Sequence, residues 1–198
     1  MKQILLIHGG NAFQTESEYK NWLKTRSIRI EKQIKWTDEY LTKNLPDFQI
    51  IKPQMPLREN ARYEDWKIHF EKHFEYLKDN SVLIGNSLGG IFLAKYLSEN
   101  NLTFKPDSII LIAPPFDDDG KNLGGNFVLN SNISKLETHT KNLHFFFSST
   151  DEIVKINQYE KYKEKLPNAN FTILTNKTGH FFDETFPELI NLIKNHYN

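Results

Sequence analysis

The chain has 198 residues, 38% of them hydrophobic, and its 25 Lys plus Arg balance 25 Asp plus Glu to a formal net charge of zero. That length suits one sizeable core, so residues 1–198 read as a single domain, and the charge balance offers no global field for a nucleic-acid backbone or an anionic membrane. The absence of cysteine removes disulfides, thiolate metal ligands and thiol nucleophiles, and fits a reducing, cytoplasmic setting.

In chain order, residues 3–7 (QILLI) make a short apolar run, too short for a signal-peptide core or a membrane span, and are followed by His8-Gly9-Gly10-Asn11. Ile34, Trp36, Tyr40, Leu41 and Leu45 mark a helix ending before Pro46, and 48–51 (FQII) is the second strand-like run. After a loop over 52–60, Trp66, Phe70, Phe74 and Leu77 recur at spacings of four, four and three, predicting a helix over 61–79 with these residues in the core. Run 81–85 leads into an amphipathic helix over 88–99, and 109–113 leads into a second long loop, 114–134. Runs 143–147 and 171–175 are each followed by helical patterns, marked by Tyr159, Tyr162 and Leu166 and by Leu189, Ile190 and Ile193. Six short runs, several apolar on both faces and separated by helical stretches, predict a mostly parallel six-stranded sheet in a three-layer α/β/α sandwich. Long irregular segments often wall binding sites, which makes Met55, Leu57, Phe116, Phe127 and Val128 candidate pocket liners.

Gly85-Asn86-Ser87-Leu88-Gly89 fits G-x-S-x-G at the junction of a strand and a helix, where the motif has mechanical meaning. A serine there is held in a strained turn that flanking glycines make room for. The Leu88 N–H at the helix start and a second amide from the loop after the first strand, Gly10 first and Asn11 next, are the candidate oxyanion donors. A serine hydroxyl needs a base and the base an orienting acid; Asp151 follows run 143–147 and His180 follows run 171–175, in the order Ser, Asp, His. Asp117, Asp118 and Asp119 are the rival acids after the fourth strand. They lack a cation-loop spacing, and His69 and His73 lack the H-E-x-x-H pattern, so no metal and no cofactor is expected. His8 either braces the oxyanion loop or makes a structural bond to backbone. Sequons at Asn101, Asn132, Asn170 and Asn176 read as chance matches in an Asn-rich chain.

These motifs, with Pro53-Gln54-Met55-Pro56, Ser-Ser-Thr-Asp-Glu-Ile-Val around Asp151 and Thr-Gly-His-Phe around His180, resemble the small serine hydrolases of the YdeN and retinoblastoma-binding protein 9 type, over essentially the whole chain. The resemblance implies a reduced α/β-hydrolase fold without a large cap, strand order 2-1-3-4-5-6, and catalytic roles for Ser87, Asp151 and His180. Residues 117–133 depart from the family's aromatic-rich stretch, which leaves substrate preference open. The expected function is hydrolysis of a carboxylic ester, thioester or amide of a small acyl substrate. The alternative is a catalytically idle binding module; no protein partner is indicated.

Overall fold

In the computed structural model, which describes residues 1–197, six strands pair in parallel in the order β2-β1-β3-β4-β5-β6. They are β1 (Lys2–Ile7), β2 (Phe48–Ile51), β3 (Val82–Asn86), β4 (Ser108–Ile112), β5 (Asn142–Ser148) and β6 (Asn170–Leu174). All lie within one residue of their expected ends, because a strand covered on both faces must be apolar throughout and so is conspicuous in sequence. Central β4 is buried along its whole length.

The helices are α1 (Glu16–Thr25), α2 (Leu41–Asn44), α3 (Tyr63–Glu71), α4 (Leu88–Glu99), α5 (Asn157–Lys165) and α6 (Pro187–Tyr197). The chain steps from β1 outward to β2, then returns past β1 to β3 and continues to β6; right-handed crossovers put the helices of those two legs on opposite faces. Alternation along β5 shows both layers. Phe145 and Phe147 meet Tyr162 of α5 at ring distances of 4.9 and 6.4 Å, while Phe146 points the other way to Phe186, 5.2 Å distant, just ahead of α6. Phe186 in turn packs 5.4 Å from Trp36, in the segment between β1 and β2. Trp66 and Phe70 of α3 pack edge-on against Phe92 of α4 at 5.6 and 5.3 Å.

Three helical expectations are corrected, and one helix lies outside them. The helix read over 61–79 stops at Glu71 and resumes as a 3-10 turn, Phe74–Tyr76. There the backbone changes from four-residue to three-residue bonds, His73 N to Phe70 O at 3.0 Å and Leu77 N to Phe74 O at 3.2 Å, while the His73 ring takes the His69 carbonyl at 2.9 Å. The aromatic stripe survives, since Phe74 still meets Phe70, Tyr96 and Phe104. The helix read over Ile34–Leu45 is a π-type turn, Trp36–Tyr40, running into the single turn of α2. α4 is not amphipathic: it is buried on nearly every side, with only Lys95, Ser98 and Glu99 left partly exposed. The helix outside those expectations is α1, which has no buried residue; its sequence signature is the capping box of Thr15 and Glu18.

Candidate active site

The loops after β1 and β3 emerge side by side where the strand order reverses, the place where open α/β sheets leave a crevice at their carboxyl ends. Ser87 sits in the turn from β3 to α4 at φ 55° and ψ −118°, a conformation that costs on the order of 1–3 kcal/mol. Neighbours hold it there: its N–H donates to Ile112 O at 2.8 Å and its carbonyl accepts from Gly90 and Ile91. The turn is possible only with close backbone approaches. A Cβ on Gly89 would lie 2.3 Å from Ile7 O, and one on Gly85 2.5 Å from Gly89 O.

Three elements deliver polar groups to one another here. The His180 Nε2 lies 2.7 Å from Ser87 Oγ, and its Nδ1 lies 2.6 Å from Asp151 Oδ2. A carboxylate can only accept, so Nδ1 carries the proton and Nε2 presents its lone pair to the serine hydroxyl. The other carboxylate oxygen of Asp151 accepts from the Ile153 and Val154 amides at 2.8 and 2.9 Å. Asp151 is thus buried but fully partnered, as a buried carboxylate must be. Gly179 (φ 54°) and Phe181 (φ 53°) bend the loop on either side of His180. That loop is clamped by Trp36, whose backbone N–H donates to Asp183 O at 2.9 Å and whose indole donates to Phe181 O at 3.2 Å.

The loop after β1 supplies amides. His8 Nδ1 donates to the Gly9 carbonyl at 2.7 Å, and Arg58 Nε donates to the same oxygen at 3.1 Å. His8 Nε2 accepts from the Met55 amide at 3.0 Å, which fixes the neutral tautomer, and burial lowers its pKa further from charging. Because the C=O and N–H of a trans peptide point in opposite directions, anchoring the Gly9 carbonyl turns the Gly10 N–H the other way. Neither the Gly10 nor the Leu88 amide donates to any backbone carbonyl among the described residues, whereas Asn11, the second choice in sequence, spends its N–H on Arg58 O at 2.9 Å.

Ser87 and His180 open into a cavity of about 270 Å³ walled by Gly10, Lys35, Trp36, Arg58 and Phe182 among others. None of the five liners expected from sequence reaches it. Met55 is buried, Leu57 is 66% exposed, Phe116 packs 5.1 Å from Tyr162, Phe127 packs 5.4 Å from Trp66 in the core, and Val128 is half-buried. No motif marks Lys35, Trp36, Arg58 and Phe182 as cavity walls, and Trp36 reads in sequence only as part of a helical pattern. Two of the three rival acids are occupied elsewhere: both Asp117 oxygens meet Lys161 Nζ at 2.6 Å, and Asp119 meets Lys155 at 2.9 Å. Burial alone would raise the Asp117 pKa, but the Lys161 and Gln158 donors outweigh it and leave it lowered. His69 and His73 face each other at 5.0 Å, and among the described residues no group of three or more metal-ligating side chains converges.

The serine hydrolase profile matches residues 31–188. The chain belongs to the serine hydrolase family. Solved structures similar to this serine hydrolase include the ydeN gene product of B. subtilis, with TM-score 0.77 and 20% identity over 100% of this chain and 99% of that one. A YdeN-like hydrolase of Pectobacterium atrosepticum has TM-score 0.65 and 13% identity over 99% and 91%, and an esterase of Exiguobacterium antarcticum 0.58 and 12% over 100% and 92%. No curated protein matches. Among the described residues of this family member, no helix is long and apolar enough to cross a membrane.

Proposed function

We propose that this serine hydrolase cleaves a carboxylic ester, thioester or amide through an acyl-enzyme on Ser87, with His180 as base and acid and Asp151 orienting it. The observation that carries the reading is the unbroken chain of hydrogen bonds from Ser87 Oγ through both nitrogens of His180 to a buried Asp151. His180 Nε2 takes the hydroxyl proton as Ser87 Oγ bonds to the substrate carbonyl carbon. The carbonyl oxygen becomes an oxyanion between the Gly10 and Leu88 amides, aided by the positive end of α4. Collapse breaks the bond to the leaving group, which leaves with the proton from His180. Water then repeats the sequence: His180 takes its proton, hydroxide attacks the acyl carbon, and the acid departs as Ser87 regains its proton. In this reading the strained turn at Ser87 is a nucleophile elbow.

Labelling with a fluorophosphonate tests it, comparing wild type with Ser87→Ala. Ser87-dependent labelling, with loss of activated-ester hydrolysis in the variant, is the expected result. Folded wild-type protein that neither labels nor turns over such esters would point instead to an idle binding scaffold.

A further inference from the structure

The cavity in front of Ser87 is lined by two cations, Lys35 and Arg58, and by one carboxylate, Glu59, in a chain whose overall charge is zero. Arg58 stands on the oxyanion side, where its Nε donates to the Gly9 carbonyl at 3.1 Å, and no carboxylate lies within ion-pair distance of its guanidinium among the described residues. Lys35 stands on the histidine side, its ammonium 4.7 Å over the Phe182 ring, which itself lies edge-on to His180 at 5.7 Å. Lys35 is half-buried and has no carboxylate within ion-pair distance among the described residues. The nearest acids are engaged with other groups. Asp38 accepts the Lys35 backbone N–H at 2.9 Å and meets Lys32 at 3.4 Å; Glu59 meets Arg26 at 3.4 Å and accepts from the Asn11 amide side chain at 3.2 Å.

Two like charges facing one cavity repel, and a half-buried ammonium without a counter-ion gives up part of its hydration. Fittingly, the Lys35 pKa is lowered, first by burial and then by the nearby Arg58 and Arg29, with Asp38 opposing. The backbone at Lys35 is held in place, because Trp36, the next residue, is buried and doubly bonded to the loop that carries His180. An anionic group in the cavity would satisfy both cations and remove the repulsion between them.

We propose that the Ser87 site selects acyl substrates bearing an anionic group, such as a carboxylate, which docks between Lys35 and Arg58. The proposal rests on the serine hydrolase reading above. It identifies a substrate class rather than a reaction.

Paired activated esters test it, one member of each pair bearing a carboxylate that the other lacks. On the acyl side the pair is p-nitrophenyl butyrate and mono-p-nitrophenyl glutarate. On the leaving-group side it is 4-butyryloxybenzoate and its methyl ester. For each pair the ratio of kcat/KM, anionic over neutral, is measured in wild type, Lys35→Gln and Lys35→Glu; comparing ratios within one protein cancels both intrinsic ester reactivity and partial misfolding. In at least one pair, which identifies the charged side, the ratio is expected to fall about tenfold in Lys35→Gln, further in Lys35→Glu, and to shrink in wild type with added salt. A ratio that stays within about twofold of wild type in both variants for both pairs overturns the proposal. If fluorophosphonate labelling of Ser87 persists in that case, only the anion site falls; if Ser87 neither labels nor turns over any of the four esters, the serine hydrolase reading falls with it.

Discussion

The two long irregular segments of this chain look alike in sequence and end up doing different work. Residues 52–60 lie against the site: the Met55 amide fixes the His8 tautomer, Arg58 holds the Gly9 carbonyl with its side chain and Asn11 with its own carbonyl. Residues 114–134 turn inward and away. Phe127 is fully buried against Tyr63 and Trp66, Gly124 packs so closely on the Phe13 backbone that a Cβ would lie 2.2 Å from it, and the Asp117 and Asp119 charges are neutralised by Lys161 and Lys155. An acidic loop beside a cleft is therefore no guide to the chemistry inside it; what counts is whether its carboxylates already have partners.

The sharpest way to break that comparison is to neutralise one acid on each side. Asp151→Asn should lower kcat by about 1,000-fold to 10,000-fold, since His180 would be offered an amide where it needs a carboxylate, whereas Asp117→Asn should cost less than about threefold. Steady-state hydrolysis of an activated ester checks both; a larger loss in Asp117→Asn would move the acid to the other loop. His8→Ala probes the 52–60 side. With one of two anchors on the Gly9 carbonyl gone, kcat should fall by about 10-fold to 100-fold, less than removing an oxyanion donor outright, and KM for a neutral ester should change little. Phe127→Ala probes the other side. It should cost about 3–5 kcal/mol in urea unfolding and about 10 °C in Tm, while activity per folded molecule is kept.

The smallest expected effect lies outside both loops, at His144 on β5. Burial and the neighbouring His196 lower its pKa to about 4 in the folded chain, against about 6.5 unfolded. Since the unfolded state then binds the extra proton, the stability from neutral His144 is complete above about pH 6.5 and drains away as pH falls toward 4. His144→Gln should flatten that decline by about 1 kcal/mol, a figure discounted for the partial exposure of the ring, in urea titrations at pH 7 and pH 5.

Strands and the Ser87, Asp151 and His180 positions were legible because each obeys a local rule: strands covered on both faces are apolar throughout, and the three polar residues follow strand ends. α1 escaped because it buries nothing, and the break at Lys72 escaped because an aromatic stripe fills the same space from a 3-10 turn as from an α-helix. The pocket walls escaped for another reason. Leu57 and Arg58 are adjacent in one loop, and it is Arg58 that reaches the Gly9 carbonyl, just after the left-handed backbone of Leu57 at φ 48°, which no local sequence rule announces.

The Trp36 clamp has a consequence for how the molecule comes into being. Trp36 and Phe181 are 145 residues apart, and Ser87 and His180 are 93 apart, so no fragment that folds early can hold the reactive geometry. In a refolding experiment, hydrolytic activity should return with the final phase rather than with the bulk of the secondary structure, and a ribosome-bound chain should stay inert until its last strand and the loop beyond it have emerged.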